Sequence, residues 1–163
     1  MSTDDDTKPV YEWAVAEVGD RRKPTTSPVR KDQIDRYVKF TEDANPLFTD
    51  EAFAKRHGFK SVAVPTNMAN RVASHYRKQL MREKGYSPPR RPTPMARLQW
   101  KLLAPMQVDD QITSECRVGE LYEKRGRKYI VWEVTARNQN GEEIGVLRTT
   151  NSWEGAKPED KKR

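Results

Sequence analysis

The segment from Tyr37 to Phe53, YVKFTEDANPLFTDEAF, carries the most chemical information in the chain. It places a carboxylate, Asp43, two residues before an amide, Asn45, which is followed by Pro46. Aspartate and asparagine side chains hydrogen-bond their own backbone, and the residue before a proline avoids the helical conformation. The spacing alone therefore predicts a turn between two helices, with a carboxylate and an amide held at that turn.

A second feature is a cluster of basic residues in the middle of the chain, which contains Arg71, Arg77, Lys78, Arg82, Lys84, Arg90, Arg91 and Arg97. The whole chain has a net charge of +7, and the basic cluster is compatible with nucleic acid, a membrane surface or a phosphate-bearing small ligand as partner. The simpler interpretation is a solvated helix face followed by a basic loop. Because acids are interleaved and no RNA-recognition, zinc-finger or leucine-zipper pattern is present, we expect no nucleic-acid partner.

Length and composition exclude several other classes. A chain of 163 residues suits one domain. No apolar stretch approaches the ~20 residues of a membrane span, and no basic start precedes an apolar segment as in a secretory signal. We therefore expect a cytoplasmic protein that does not bind membranes. The single cysteine, Cys116, has no partner for an internal disulfide, and with only two histidines it cannot build a zinc site, so no metal site is predicted.

Three helices are predicted before residue 85. The first covers about 32–42 and the second 50–57. The third is longer, beginning at Thr66 or Asn67 and ending near Lys84. Its apolar residues recur every fourth position and form one stripe, made of Met68, Val72, Tyr76 and Leu80.

Strand patterns lie mainly in the second half. A short strand is predicted at 11–18 and a loop at 20–28, and four segments rich in Val, Ile, Thr, Tyr and Trp then predict an antiparallel meander, at 97–103, 111–122, 128–138 and 143–153. In the third of these segments, alternation predicts one buried face made of Ile130, Trp132, Val134 and Ala136.

Runs of helices beside runs of strands imply an α+β fold in which the sheet buries one face against the long helix. The two ends of the chain are charged and poor in apolar residues. They are predicted to be disordered tails at 1–9 and 153–163, around a single domain at 10–152.

These segments resemble, in the same order, the MaoC-like dehydratases, the (R)-specific enoyl-CoA hydratase branch of the hot-dog fold. Residues 42–48 are similar to the family's Gly-Asp-x-Asn-Pro-aliphatic-His motif. Residues 64–68 resemble its loop into the central helix, and 105–112 its Pro-x-x-x-Gly-Asp element. The resemblance covers about residues 26–152 and implies a hot-dog fold, in which a curved antiparallel sheet wraps a long central helix.

The resemblance also implies an activity, the reversible hydration of a trans-2-enoyl thioester to a 3-hydroxyacyl thioester. Family members hold one water between an Asp and a His, and need no cofactor because the coenzyme A thioester is the substrate. Asp43 matches the acid/base carboxylate. The thioester oxygen would be polarised by N–H groups at the start of the central helix, at Asn67 or Met68. The substrate-binding residues implied in this way are Asn45, Phe48, Pro65, Thr66, Asn67 and Met68.

The chain departs from the family's motifs at several positions. Phe48 stands where the family has its histidine, and Phe has no proton to transfer. Glu42, Asn67 and Asp109 stand at family glycine positions. Four interpretations remain open: His57 or His75 replaces the missing histidine; Asp43 works alone on an unusual substrate; a partner chain carries the full Asp–His pair; or the chain is a non-catalytic acyl-CoA-binding or regulatory protein. The Asp-x-Asn-Pro-x-x-x-Asp sequence pattern favours the interpretation with a partner chain, because it resembles the partner-subunit or N-terminal-half type of the family.

The implied partners follow from the same resemblance. The substrate would be an acyl-CoA or an acyl-carrier-protein thioester, and both carry phosphate. Arg90, Arg91 and Arg97 are predicted to contact that phosphate. Hot-dog proteins pair their sheets edge to edge, which implies a homodimer or a heterodimer with a related chain.

Overall fold

The computed structural model describes residues 7–72 and 77–153, with the side chains of all of these except Arg71 and Val72. Its helices are α1 (Lys31–Thr41), α2 (Glu51–Arg56), α3 (Ala69–Val72) and α4 (Arg77–Glu83). Its strands are β1 (Thr25–Pro28), β2 (Met95–Leu102), β3 (Gln111–Lys124), β4 (Arg127–Arg137) and β5 (Glu143–Ser152).

The five strands form one antiparallel sheet in the order β1-β3-β4-β5-β2. The four strands of the second half are confirmed, and so is the α+β class. The prediction of a simple four-strand meander is wrong in one respect: only β3, β4 and β5 pair in sequence order, and β2 pairs with β5 at one edge of the sheet. Strand composition predicts which residues are extended, but not which strand each one pairs with.

The predicted strand at 11–18 is also wrong. This stretch contains a short 3-10 turn, Trp13–Val15, and its apolar residues serve the core, since Tyr11 is fully buried. The other edge strand, β1, lies instead in the predicted loop at 20–28 and pairs with β3. It ends in Pro28, which has no N–H for a sheet ladder and is tolerated at an edge.

The core lies between the helices and one face of the sheet. The predicted buried face of β4 is confirmed, because Ile130, Trp132, Val134 and Ala136 are all buried, although Val131 on the opposite face is buried as well. The two ends of the predicted long helix also match. A 3-10 turn, Thr66–Met68, leads into α3, and α4 ends at Glu83, shortly before Gly85. Met68 and Leu80 of the apolar stripe are buried, whereas Tyr76 and the side chain of Val72 lie outside the described residues.

Both ends of the described chain pack against the domain. The backbone N–H of Ser87 donates to the carbonyl oxygen of Pro9 at 2.8 Å. Trp153 is only 3% exposed, and its indole N–H donates to the carbonyl oxygen of Tyr11 at 3.3 Å. Assigning Trp153 to a tail is therefore wrong, because so large a ring gains stability from burial in the aromatic cluster. Residues 1–6 and 154–163 lie outside the described ranges.

No helix in the described part of the chain is long and apolar enough to cross a membrane.

Candidate active site

The candidate site begins where α1 ends. Glu42 adopts a left-handed conformation with φ 53°, and the N–H groups of Glu42 and Asp43 both donate to the carbonyl oxygen of Val38. Helices commonly end on such a left-handed residue, which is usually glycine because glycine has no Cβ. The helix therefore stops abruptly and presents Asp43 as the first residue of the following turn.

Two side-chain to backbone hydrogen bonds shape that turn. The N–H of Asn45 donates to Oδ1 of Asp43 at 3.1 Å, and the N–H of Leu47 donates to Oδ1 of Asn45 at 3.0 Å. The second bond caps the 3-10 turn Pro46–Phe48. The turn predicted from spacing is thus present, and no described residue hydrogen-bonds Oδ2 of Asp43.

A cleft of about 230 Å³ opens beside this turn, and we call it the Asp43 cleft. Its lining residues are Tyr37, Thr41, Asp43, Phe48, Pro65, Thr66 and Asn67. Five residues singled out from the sequence are therefore brought together, although they come from two segments about twenty positions apart. Asp43 is half-buried in this arrangement.

Two other predicted substrate-binding residues do not line the Asp43 cleft. Asn45 is exposed and its side chain is engaged in the cap. Met68 is 3% exposed and packs in the core, because its apolar side chain is stabilised there. Its N–H donates to the carbonyl oxygen of Pro65 at 2.8 Å. The N–H groups that precede this first bond belong to Thr66 and Asn67, which are the groups a helix start leaves without an intrahelical acceptor.

Sequence reasoning missed Tyr37 and Thr41 as lining residues. They lie four positions apart on α1, and that spacing places side chains on one helix face. The hydroxyl of Thr41 donates to the carbonyl oxygen of Tyr37 at 2.9 Å, and Tyr37 packs partly against the core. The spacing, together with a helix end just before Asp43, is the signal that could have identified them.

No histidine lines the Asp43 cleft among the described residues. Phe48 is half-buried and packs against the core. The ring of His57 stacks on Phe53 with centroids 4.1 Å apart, and its Nδ1 lies 2.9 Å from the carbonyl oxygen of Phe53. His57 is therefore not a replacement for the missing histidine in this geometry. His75, the other candidate, lies outside the described residues.

A second, mainly apolar cleft of about 270 Å³ adjoins the first, and Thr66 lines both. Its other lining residues are Val64, Ala69, Leu102, Leu103, Ala104, Pro105 and Met106. Sequence reasoning did not assign this apolar cleft. The apolar run 102–106 at the end of a predicted strand is the signal that could have identified it.

The three arginines predicted to bind phosphate are not brought together. Arg91 makes an ion pair with Glu12, and Arg90 is exposed. Arg97 lies on β2 and lines a third cleft, which shares no lining residue with the Asp43 cleft. These arginines are near one another in sequence but do not line one cleft. The proline-rich segment before β2 is followed by a strand, and the side chains of a strand point to alternate faces.

Comparison with known proteins shows which family this chain belongs to. The sequence model of the FAS1-like dehydratase domain region matches residues 16–146. A search of curated protein sequences finds no match.

Several solved structures share the fold. The (3R)-hydroxyacyl-ACP dehydratase complex HadBC from Mycobacterium tuberculosis is 15% identical, with a TM-score of 0.68 over 83% of this chain and 94% of the other. The R-hydratase PhaJ1 from Pseudomonas aeruginosa is 18% identical, with a TM-score of 0.64 over 90% of this chain and 92% of the other.

A MaoC-like dehydratase from Rhodospirillum rubrum is 17% identical, with a TM-score of 0.68 over 90% of this chain and 99% of the other. These similarities confirm the hot-dog fold. The predicted resemblance to MaoC-like dehydratases is confirmed with it, and the chain belongs to the FAS1-like dehydratase domain family.

Proposed function

We propose that this chain is a subunit of an (R)-specific enoyl-thioester hydratase, acting in reverse as a 3-hydroxyacyl-thioester dehydratase, and that Asp43 is its proton-transferring group. The observation that carries the proposal is the shared cleft: the turn carboxylate and the helix start Pro65–Asn67 line one cavity. Membership of a dehydratase family supports the reaction class.

The chemistry assigned to each group follows from the reaction. Hydration adds hydroxide to the β-carbon and a proton to the α-carbon of the enoyl thioester. Asp43, as a carboxylate, accepts a proton from the attacking water as a general base. Charge then develops on the thioester oxygen, and the N–H groups of Thr66 and Asn67 are the donors placed to stabilise it.

The α-carbon needs a second proton-transfer group, and Phe48 cannot serve. In this proposal a partner chain with a complete Asp–His pair supplies that second group, and Asp43 acts with it in the assembled complex. The edge strand β2 supports a pairing surface for that partner. Among the described residues, seven large hydrophobic side chains are exposed, and four of them lie on β2 or directly after it: Met95, Leu98, Leu102 and Leu103. An edge strand with exposed apolar residues favours pairing with another strand, in a homodimer or with a related hot-dog chain.

The acyl chain of the substrate fits the apolar cleft. This cleft meets the Asp43 cleft at Thr66, so a thioester bound beside Asp43 has an apolar continuation lined by side chains such as Leu103 and Met106. Burial of each methylene group in such a cleft contributes ~0.8 kcal/mol.

The test is a hydration assay with crotonyl-CoA and longer enoyl-CoA thioesters, following loss of the conjugated thioester absorbance. The chain is assayed alone and as an equimolar mixture with a related dehydratase chain that carries the full Asp–His pair. The proposal expects turnover in the mixture to exceed the sum of the two separate chains. If the mixture shows no more turnover than the partner alone, the subunit role is wrong.

A second candidate function is a non-catalytic acyl-thioester-binding protein. Phe48 in the histidine position favours it, as does the use of Asp43 Oδ1 in the turn. Saturable binding of crotonyl-CoA to this chain, with no turnover by the chain alone and none added by it in the mixture, would select this alternative.

A further inference from the structure

The third cleft is larger than the other two, at about 640 Å³, and lies at one end of the sheet. We call it the basic cleft. Its lining residues are Ala96, Arg97, Tyr122, Lys124, Arg125, Arg127, Tyr129 and Thr150. Four of these eight side chains are cationic and none is a carboxylate. A concavity of this size is within the range of small-molecule sites, ~300–1,000 Å³.

The charge of the basic cleft differs from that of the rest of the sheet. Elsewhere arginines on the strands pair with glutamates, as in Arg117–Glu133, Arg137–Glu143 and Arg148–Glu120. Within the basic cleft, Arg97, Lys124 and Arg125 make no ion pair with any carboxylate of the described residues. Positive charge is thus concentrated in the basic cleft, and no carboxylate of the described residues neutralises these three side chains.

The hairpin between β3 and β4 brings two like charges together and holds an arginine in a left-handed conformation. Lys124 and Arg127 are direct cross-strand partners, and like charges directly opposite each other are destabilising. Arg125 and Gly126, between them, have φ 53° and 72°. Such a turn favours Asn-Gly or Asp-Gly, whereas arginine has no side-chain acceptor to support it. The hairpin therefore brings Lys124, Arg125 and Arg127 together in a turn whose sequence is not the one such a turn favours.

Two stacked tyrosines form the wall beside these cations. The rings of Tyr122 and Tyr129 have centroids 4.9 Å apart and planes at 16°, and both residues are half-buried. The pair is therefore a rigid surface that offers a flat apolar face and phenolic hydroxyl groups.

We propose that the basic cleft binds a soluble small molecule that carries two or more phosphate groups. The planar fork of arginine forms bidentate hydrogen bonds to phosphate, and Arg97 and Arg125 approach from different strands and loops around the same cavity. A bound polyphosphate would place negative charge beside Arg97, Lys124 and Arg125, which form no ion pair with a carboxylate of the described residues. The basic cleft shares no lining residue with the Asp43 cleft, so binding of small phosphate compounds can be measured apart from the hydration reaction.

Isothermal titration calorimetry on the full chain tests the proposal. Inorganic pyrophosphate and adenosine 5′-diphosphate are the probes, and sodium sulfate at equal ionic strength is the reference. We expect saturable one-site binding of both probes and much weaker heat with sulfate. Arg97→Ala and Arg125→Gly should each weaken binding about tenfold or more, as expected for lost charged hydrogen bonds. Arg125→Gly suits the left-handed backbone, so it removes the charge without a folding penalty.

The matched control is Arg21→Ala, because Arg21 is an exposed arginine outside the basic cleft, 3.8 Å from Glu115. It should leave both affinities unchanged. Tighter binding of adenosine diphosphate than of pyrophosphate supports ring contact with the tyrosine pair, and equal binding supports recognition of the phosphates alone. The proposal is overturned if neither probe binds saturably, if sulfate binds equally well, or if Arg21→Ala weakens binding as much as Arg125→Gly.

Discussion

Oδ1 of Asp43 accepts a hydrogen bond from the backbone N–H of Asn45 at 3.1 Å, while its other carboxylate oxygen, Oδ2, has no hydrogen bond from the described residues. One side chain therefore combines a structural role in the turn with a free oxygen in the cleft. The two roles depend on different properties, since the turn needs an acceptor and proton transfer needs an ionisable group.

Asparagine and alanine at position 43 separate these roles. Asp43→Asn keeps an acceptor for the N–H of Asn45, so its free energy of unfolding should stay within ~0.5 kcal/mol of the parent. Asp43→Ala removes the acceptor and should lose ~1 kcal/mol. Urea denaturation measures both values. Equal losses for the two variants would show that the hydrogen bond does not stabilise the turn.

Phe48→His tests whether the missing histidine limits the activity of this chain. Because Phe48 lines the Asp43 cleft, a histidine there would lie beside Asp43 and could complete the pair. The chain alone should then hydrate crotonyl-CoA ~10²–10⁴-fold faster than the parent. Phe48→Leu is the control, since it also changes the packing but transfers no proton. Similar rates for the two variants would mean that a histidine at position 48 is not enough.

Replacing either of two residues in the left-handed conformation with glycine should stabilise the protein. Glu42 and Asp109 have φ 53° and 73°, and both stand where the resemblance expects glycine. The left-handed conformation costs a residue with a Cβ ~1–2 kcal/mol, partly offset by the larger entropy of glycine in the unfolded chain. Glu42→Gly and Asp109→Gly should each raise the free energy of unfolding by ~0.5–1 kcal/mol. Glu42→Ala retains the Cβ and should give no such gain in the same denaturation experiment.

These positions show how much of the site the sequence reveals. The turn at Asp43 follows from local chemistry, and its meeting with Pro65, Thr66 and Asn67 was implied only by the family resemblance, because nothing local links segments so far apart. Tyr37 and Thr41 were missed although their spacing marked them. The role of Met68 was misjudged because helix periodicity does not reveal which N–H is already bonded.

The strands show the same limit at the level of the fold. Alternation identified the buried face of β4, because each residue's side depends only on its neighbours in sequence. The pairing of β2 with β5, and the edge strand β1 in a proline-containing loop, depend on contacts between distant segments. Tyr11 was predicted in a strand because its local pattern resembles one, whereas its burial is decided by its aromatic partners Tyr86, Trp132 and Trp153.

The edge strand makes a prediction about assembly. Leu98 is 49% exposed on β2, so Leu98→Lys should place a charge in the proposed pairing surface and shift the chain toward monomer in sedimentation velocity. Val18 is 63% exposed but lies outside β2, and Val18→Lys should leave the oligomeric state unchanged. An unaltered distribution for Leu98→Lys would exclude pairing along this edge.

Tyr11 predicts a loss of stability at high pH. Burial, followed by the charge of Asp20 and a hydrogen bond to it, raises the pKa of Tyr11 above its ordinary value of 10.0. The hydroxyl donates to Oδ2 of Asp20 at 3.1 Å. Because the folded state holds this proton more tightly than the unfolded state, the stabilisation is complete below pH 10 and declines as the pH rises beyond it.

The free energy of unfolding, measured by urea denaturation between pH 8 and 11, should therefore fall above about pH 10. Tyr11→Phe should be less stable than the parent at pH 8 by ~1 kcal/mol and should show a shallower decline at higher pH. An identical decline in the two proteins would assign the effect to other groups.

The hydration rate of an enoyl-CoA thioester, measured with the parent chain and with Asp43→Asn in the same equimolar mixture with the Asp–His partner chain, tests the central claim most directly. If Asp43 transfers a proton in the cleft at the helix start, the part of the rate that depends on this chain falls ~10²–10⁴-fold in Asp43→Asn, with the fold intact. An unchanged rate in the mixture would contradict the assignment of Asp43.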